Sequence, residues 1–204
     1  MKITVSKGGK RFNREWIFRR ADLELESSTP CAITGPNGSG KSTLLQCLGG
    51  ILQLSEGSIR YEASTPVADE EVYRNLSFCA PYLDLVEEMT LVEFLDFHQR
   101  FKSLLPTLDT TGVISILGLE AAAHKPIRNY SSGMKQRVKL AQAILSDTAI
   151  VLLDEPCSNL DAAGISLYHS LVAQYCVQRL VVVSSNDPVE YSFCKKVIDI
   201  KQYK

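Results

Sequence analysis

A chain of 204 residues that is 45% hydrophobic and 22% charged has the balance of one globular core with room for a small lobe, and excludes a disordered or fibrous polymer. Its net charge of −1 speaks against nucleic acid as a partner; the cluster Arg11, Arg14, Arg19 and Arg20 reads more simply as the solvated face of an edge strand. Cysteines at 31, 47, 79, 157, 176 and 194 form no C-x-x-C pair, which predicts small apolar fillers in a reducing compartment rather than a zinc site or disulfide framework.

Residues Met1 to Val5 lack the apolar block of a signal peptide, and no run of about 18 apolar residues follows. A chain soluble by itself is therefore expected, with any membrane role borrowed from a partner. Ile3 and Val5 share one face of Lys2 to Ser6, and Ala21, Leu23 and Leu25 oppose Asp22, Glu24 and Glu26. Both stretches predict half-buried strands of an antiparallel sheet. Between them, Lys10-Arg11-Phe12-Asn13 predicts a polar loop, with Phe12 either a stacking platform for an adenine ring or a turn aromatic packed on the sheet.

Next comes the apolar run Cys31-Ala32-Ile33, then Gly35-Pro36-Asn37-Gly38-Ser39-Gly40-Lys41-Ser42-Thr43, then the helix-forming Leu44 to Leu48. Strand, glycine-rich turn and helix start in that order make a phosphate-binding P-loop. The three glycines let several N–H groups point at a polyphosphate, and the helix adds the positive end of its dipole. Lys41 is expected to neutralise the β- and γ-phosphates, Ser42 to place its hydroxyl on Mg2+, and Gly49-Gly50 to stop the helix.

Gly57 to Tyr61 predicts a short strand, 63–71 a polar loop, and Leu76 to Cys79 another strand ending at Ala80-Pro81. Thr90 and Glu93 form a capping box for a helix whose apolar positions Leu91, Phe94, Leu95, Phe101 and Leu105 run to Pro106. His98 falls on that face and reads as a packed histidine rather than a ligand. A second helix, from about Thr111 to Leu117, ends at Gly118, so a helical lobe is expected over about 83–130. Asn129 to Arg137 opens a third helix, whose start Ser131-Ser132-Gly133 is either an anion site or a plain N-cap. Ala149 to Leu153 predicts a strand buried on both faces, and it ends in Asp154-Glu155-Pro156. Carboxylates at that edge lie where α/β sheets bind ligands. Asp154 suits Mg2+ and Glu155 can polarise a water; a solvated strand end is the alternative. Arg179 to Val183 is a further buried strand ahead of Ser184-Ser185-Asn186-Asp187, and Val197 to Ile200 a last one.

Tyr130-Ser131-Ser132-Gly133-Met134-Lys135-Gln136-Arg137 resembles a variant of the L-S-G-G-Q signature, followed by Leu152-Leu153-Asp154-Glu155-Pro156 and Ser158-Asn159-Leu160-Asp161. With the P-loop, these motifs make the chain resemble the ATP-binding cassette (ABC) ATPases over residues 1–204. The resemblance implies one α/β domain: a P-loop NTPase core of mostly parallel sheet and helices, an N-terminal antiparallel β-subdomain, and an inserted helical subdomain at about 83–130. It implies ATP and Mg2+ as ligands and a head-to-tail dimer, either a homodimer or a heterodimer with a related ATPase subunit. Ser131 and Gly133 would face the γ-phosphate held by the partner chain, and Phe12 aligns with the family's adenine-stacking aromatic.

Two positions depart from that pattern. Ala80-Pro81-Tyr82 stands where the family carries a glutamine, and Asn186 replaces the switch histidine. An amide can donate to phosphate but cannot carry a proton as imidazole does, which predicts slow turnover with binding and dimer closure intact. The function implied is an ATP-hydrolysing subunit, peripheral on the cytoplasmic face of the cell membrane, that drives transport through separate integral membrane permeases. Its size and motif style are similar to the ATPases of haem exporters and of ABC-2-type systems. A groove near 79–98, with Tyr82, Leu83 and Leu85 exposed, would receive a helix of the permease. The alternatives are a nucleotide-gated module with weak hydrolysis and a soluble, non-transport ABC ATPase.

Overall fold

The computed structural model describes residues 1–63, 66–67 and 69–204. Strand β1 (Lys2–Phe12) pairs antiparallel with β2 (Glu15–Glu26) on one side and with β4 (Glu56–Glu62) on the other, and β5 (Pro66–Val67) closes the sheet beyond β4. The expected polar loop at Lys10-Arg11-Phe12-Asn13 is therefore mostly strand, and only Asn13-Arg14 makes the turn. Register shifts between Val5 and Arg11 break the alternation that marks a strand in sequence, so the continuation of β1 was hidden. Along the edge strand β2, Trp16 sits between the guanidinium groups of Arg11 and Arg19 at 5.6 and 4.5 Å, and Arg19 pairs with Glu56 at 2.8 Å. All four arginines of the basic cluster are exposed, but only Arg19 and Arg20 lie on the edge strand β2, as expected of the whole cluster; Arg11 is on the inner strand β1 and Arg14 in the turn between them.

The second sheet is all parallel. Its strands β3 (Cys31–Thr34), β6 (Leu76–Cys79), β7 (Ile150–Asp154), β8 (Leu180–Ser184) and β9 (Lys196–Asp199) lie in the order β6-β7-β8-β3-β9. Every residue of β7 and β8 is buried, as continuous apolar runs require between two covered faces. Alternation divides them: Val151, Leu153, Val181 and Val183 pack into a core shared with four helices, α2 (Leu91–Gln99), α3 (Thr110–Leu117), α4 (Ser132–Ile144) and α5 (Ala162–Tyr175). Ile150, Leu152, Leu180 and Val182 pack into the other core, with α1 (Lys41–Leu48) and the antiparallel sheet.

Helix α2 has the full capping box of Thr90 and Glu93, yet it ends at Gln99, short of the predicted run; Phe101 is exposed. The polar stretch expected over 63–71 contains β5 and the start of a 3-10 helix, Asp69–Asn75, while positions 64, 65 and 68 lie outside the described residues. Leu85, expected at the surface, is a core residue, whereas Tyr82 and Leu83 are exposed. The last strand starts and ends one residue earlier than predicted, because Ile200 turns inward to open a 3-10 helix. His98 is packed, as expected: its Nε2 lies 2.8 Å from Ser146 Oγ, and burial with Lys102 nearby lowers its pKa to about 4. All six cysteines are free, and burial raises their thiols to between about 11 and about 12. Among the described residues no helix is long and apolar enough to cross a membrane.

Candidate functional site

The parallel order brings three strand ends to one edge. Asp154 and Ile33 are each paired in register with Ser184, so the loops after β3, β7 and β8 emerge side by side. The loop after β3 is the glycine turn, with φ of 143° at Gly35, 74° at Gly38 and 98° at Gly40. Gly40 has no substitute on two counts: that φ strains a residue bearing Cβ, and the added carbon would stand 2.4 Å from Ile17 Cγ2. Lys41 is buried, and its Nζ donates to the carbonyls of Gly35 at 2.9 Å and Pro36 at 3.3 Å, which folds the loop around the ammonium. Gly40 caps α1 without any side-chain acceptor, leaving the amides of the first turn without a side-chain cap. A cleft of about 230 Å³ opens here, lined by Asn37, Gly38, Ser39, Gly40, Lys41, Ser42, Thr43, Ile17 and Glu155.

The other two loops supply the acidic and amide groups. Asp154 is buried with its Oδ1 unpartnered, and the Oγ atoms of Ser39 and Ser184 are likewise buried without a hydrogen bond. An orphaned carboxylate oxygen beside a phosphate-type loop fits a divalent cation as its missing partner. Glu155 adopts φ 43°, a left-handed conformation uncommon for a residue with a side chain, and is anchored by its N–H on the carbonyl of Ser184 at 2.9 Å. Asn186 donates from Nδ2 to Asn37 Oδ1 at 2.7 Å, tying the loop after β8 to the tip of the glycine turn.

Ser131 and Gly133 are elsewhere. They line a separate cleft of about 490 Å³ together with Gly118, Arg137, Asn159 and Asp161. Ser131 is a true N-cap, its Oγ accepting from Met134 N at 3.2 Å, and Gly133 is so close to the Asn159 carbonyl that a Cβ would stand 3.1 Å from it. The hydroxyl hydrogen of Ser131 is not used in that bond, so capping and donation to an anion are compatible. Within one chain, then, the two halves of the expected nucleotide site do not meet.

A family profile described as "ABC transporter" matches residues 18–158, more than half of the sequence. The chain belongs to the ABC transporter family. Among its relatives, the cytochrome c biogenesis ATP-binding export protein CcmA of Cupriavidus pinatubonensis is 31% identical over 175 residues, 85% of this chain and 75% of that one. A putative ABC transporter ATP-binding protein from Pyrococcus furiosus superposes with a TM-score of 0.84 at 21% identity, covering all of both chains. The dimeric structure of a bacterial ABC transporter cassette gives 0.80 at 21% identity over 97% of this chain and 94% of that one. These two likenesses establish the ABC ATPase fold.

One wall residue of the cleft carries no signal in the sequence, and one residue flagged there has a contact that the sequence does not show. Ile17 walls the glycine-loop cleft, and nothing distinguishes it in sequence from any other strand aliphatic. Tyr82, in the stretch Ala80-Pro81-Tyr82 that stands where a glutamine is expected, accepts a hydrogen bond at its hydroxyl from Gln46 Nε2 at 2.7 Å. Burial, with the Asp154 carboxylate nearby, pushes its phenol above the usual value. Phe12, by contrast, is 46% exposed at the end of β1, with Lys10 Nζ 5.1 Å over its ring, and lies outside the walls of the cleft.

Proposed function

We propose that this ABC subunit binds Mg2+ and ATP at the glycine loop and hydrolyses ATP in a head-to-tail dimer, driving transport through separate membrane permeases. The observation that carries the reading is the meeting of an α1 start with no side-chain cap, buried Lys41, Asp154 with its unpartnered Oδ1 and strained Glu155 at one edge, while Ser131 and Gly133 line a separate cleft. Residues Gly35 to Thr43 cradle the phosphates, Lys41 countering the β- and γ-phosphate charge. Ser42 and Asp154 would hold Mg2+, which would supply positive charge to offset that of the phosphates. Glu155 orients the attacking water and draws on its proton as its oxygen bonds to the γ-phosphorus and the bond to the β-phosphate oxygen breaks. Ser131 and Gly133 of the second copy complete the γ-phosphate shell, and Phe12 stacks on adenine once nucleotide is in place. The helical lobe at about 83–130 moves as a unit with closure and presents Tyr82 and Leu83 to the permease on the inner face of the membrane.

A steady-state ATPase assay on the purified chain tests this: Glu155→Gln should lose about a hundredfold or more of the turnover. Equal rates for the two proteins would remove Glu155 from the reaction. A second reading, slow hydrolysis in a nucleotide-gated module, is favoured by Asn186, whose amide is engaged with Asn37 and cannot carry a proton. Asn186→His should therefore hydrolyse ATP about tenfold faster. An unchanged rate would mean this position does not limit turnover.

A further inference from the structure

One peptide group in the chain has both of its polar atoms held by buried side chains from two different motifs. The carbonyl of Pro156 accepts from Gln136 Nε2 at 2.7 Å, and the N–H of Cys157, across the same peptide bond, donates to Glu190 Oε1 at 2.7 Å. Gln136 is 3% exposed and Glu190 is 5% exposed. A buried peptide needs partners, and backbone or water would serve. Here the chain instead commits a carboxylate, which burial drives above its ordinary pKa, so satisfaction alone is an expensive explanation.

The connections of the two side chains point further. Gln136 stands three residues past Gly133 on α4, and its amide also reaches Cys79 Sγ at 3.9 Å, at the end of β6. Glu190 belongs to the loop that carries Asn186; its N–H donates to the Asp187 carbonyl at 3.0 Å, and its own carbonyl accepts from Tyr168 Oη of α5 at 2.7 Å. The clamped peptide begins at Pro156, the residue next to Glu155. Glu155 is held on its other side by Ser184, and its carbonyl accepts from Ser158 N at 3.1 Å, so the turn from 155 to 158 is fixed at both ends. Its left-handed φ of 43° persists only if its surroundings impose it.

We propose that Gln136 and Glu190 are positioning residues: by gripping the Pro156–Cys157 peptide they hold Glu155 in its working conformation and link it to the Ser131 end of α4. A shift of the α4 start on meeting a second copy is thereby passed to the chain's own Glu155. The inference rests on the hydrolytic reading of Glu155.

The test uses the full chain with Mg2+ and ATP, measuring kcat and KM, together with amide hydrogen exchange over residues 155–160 without nucleotide. Glu190→Leu and Gln136→Leu each leave one end of the peptide unpaired, and each should lower kcat about tenfold with KM within about twofold. Glu190→Gln keeps an acceptor for the Cys157 N–H and should retain kcat to within about threefold. The double variant should lose less than the product of the two singles, because both grip one peptide. Exchange over 155–160 should speed up in both leucine variants and not in Glu190→Gln.

Leucine variants with unchanged kcat, or Glu190→Gln as slow as Glu190→Leu, would overturn the proposal. Should the leucine variants not fold, Gln136→Asn, which keeps the amide but shortens its reach, takes their place: a tenfold slower kcat supports the grip and a normal one overturns it. If the natural chain is no faster than Glu155→Gln, the hydrolytic reading fails. Exchange then decides alone: unaltered exchange in the variants overturns the clamp, and accelerated exchange upholds it.

Discussion

Two helices in this chain begin at termini suited to anions, and they treat their first amides differently. At α1 the cap is Gly40 in a left-handed conformation and no side chain accepts from the first turn. At α4 the cap is Ser131 in an extended conformation, and its Oγ takes the Met134 N–H. The first arrangement forgoes a side-chain cap, which with glycine costs only about a few tenths of a kcal/mol, and leaves amides beside a buried lysine for a polyphosphate to claim. The second satisfies one of its first amides with its own side chain and keeps the Ser131 hydroxyl hydrogen and the N–H groups of Ser132 and Gly133 to give. Nucleotide affinity should therefore reside mainly at α1, while α4 should contribute in the closed dimer, its remaining donors and its dipole adding to a phosphate already bound.

The largest break in that contrast is Lys41→Ala. Removing the ammonium should weaken ATP binding, read by calorimetry, by about a hundredfold while the chain stays folded, since hydrogen bonds to charged groups are the strong ones. A smaller loss would move affinity away from the glycine loop. Next comes Ser131→Asp, which sharpens the comparison because aspartate caps a helix as well as serine does. Stability in denaturant should change by less than about 0.5 kcal/mol, yet turnover should fall about tenfold or more as a carboxylate meets phosphate. Undiminished turnover would leave Ser131 a cap and nothing more.

The smallest effect concerns what holds α4 in place. His98 of α2 bonds to Ser146, just beyond the end of α4, and its pKa falls from 6.5 to about 4 through burial and Lys102. Because the folded value lies below the unfolded one, acid favours unfolding: His98 costs nothing well above pH 6.5, and its cost grows as pH falls toward about 4. Between pH 7 and pH 6 the loss should be about 0.7 kcal/mol, visible as a lower urea midpoint. In His98→Gln that pH dependence should shrink; equal slopes would place the proton elsewhere.

Legibility followed the range of the interactions. The glycine loop, the capping box at Thr90 and the buried strand ending at Asp154 were readable because their causes lie within a few residues of sequence: φ above zero, a side chain three positions away, an unbroken apolar run. The continuation of β1 through Phe12 was not, since its bulges scramble the period of two, nor was the burial of Leu85, which depends on the helices packed over it. At the site, Gly35 to Thr43 and Asp154-Glu155 stood out by type and spacing. Ile17 and Glu190 did not, and the contacts of Tyr82 and Gln136 were equally hidden though both lay in quoted motifs, because each of the four acts through a partner far along the chain: Gly40 for Ile17, Cys157 for Glu190, Gln46 for Tyr82 and Pro156 for Gln136.

The central claim is that a triphosphate held at α1 is completed by the α4 edge of another copy. Sedimentation of the Glu155→Gln chain with Mg2+ and ATP tests it most directly. The account predicts a dimer that Ser131→Asp, added to the same chain, dissolves. A chain that stays monomeric when saturated with nucleotide, or a dimer indifferent to Ser131, would contradict it.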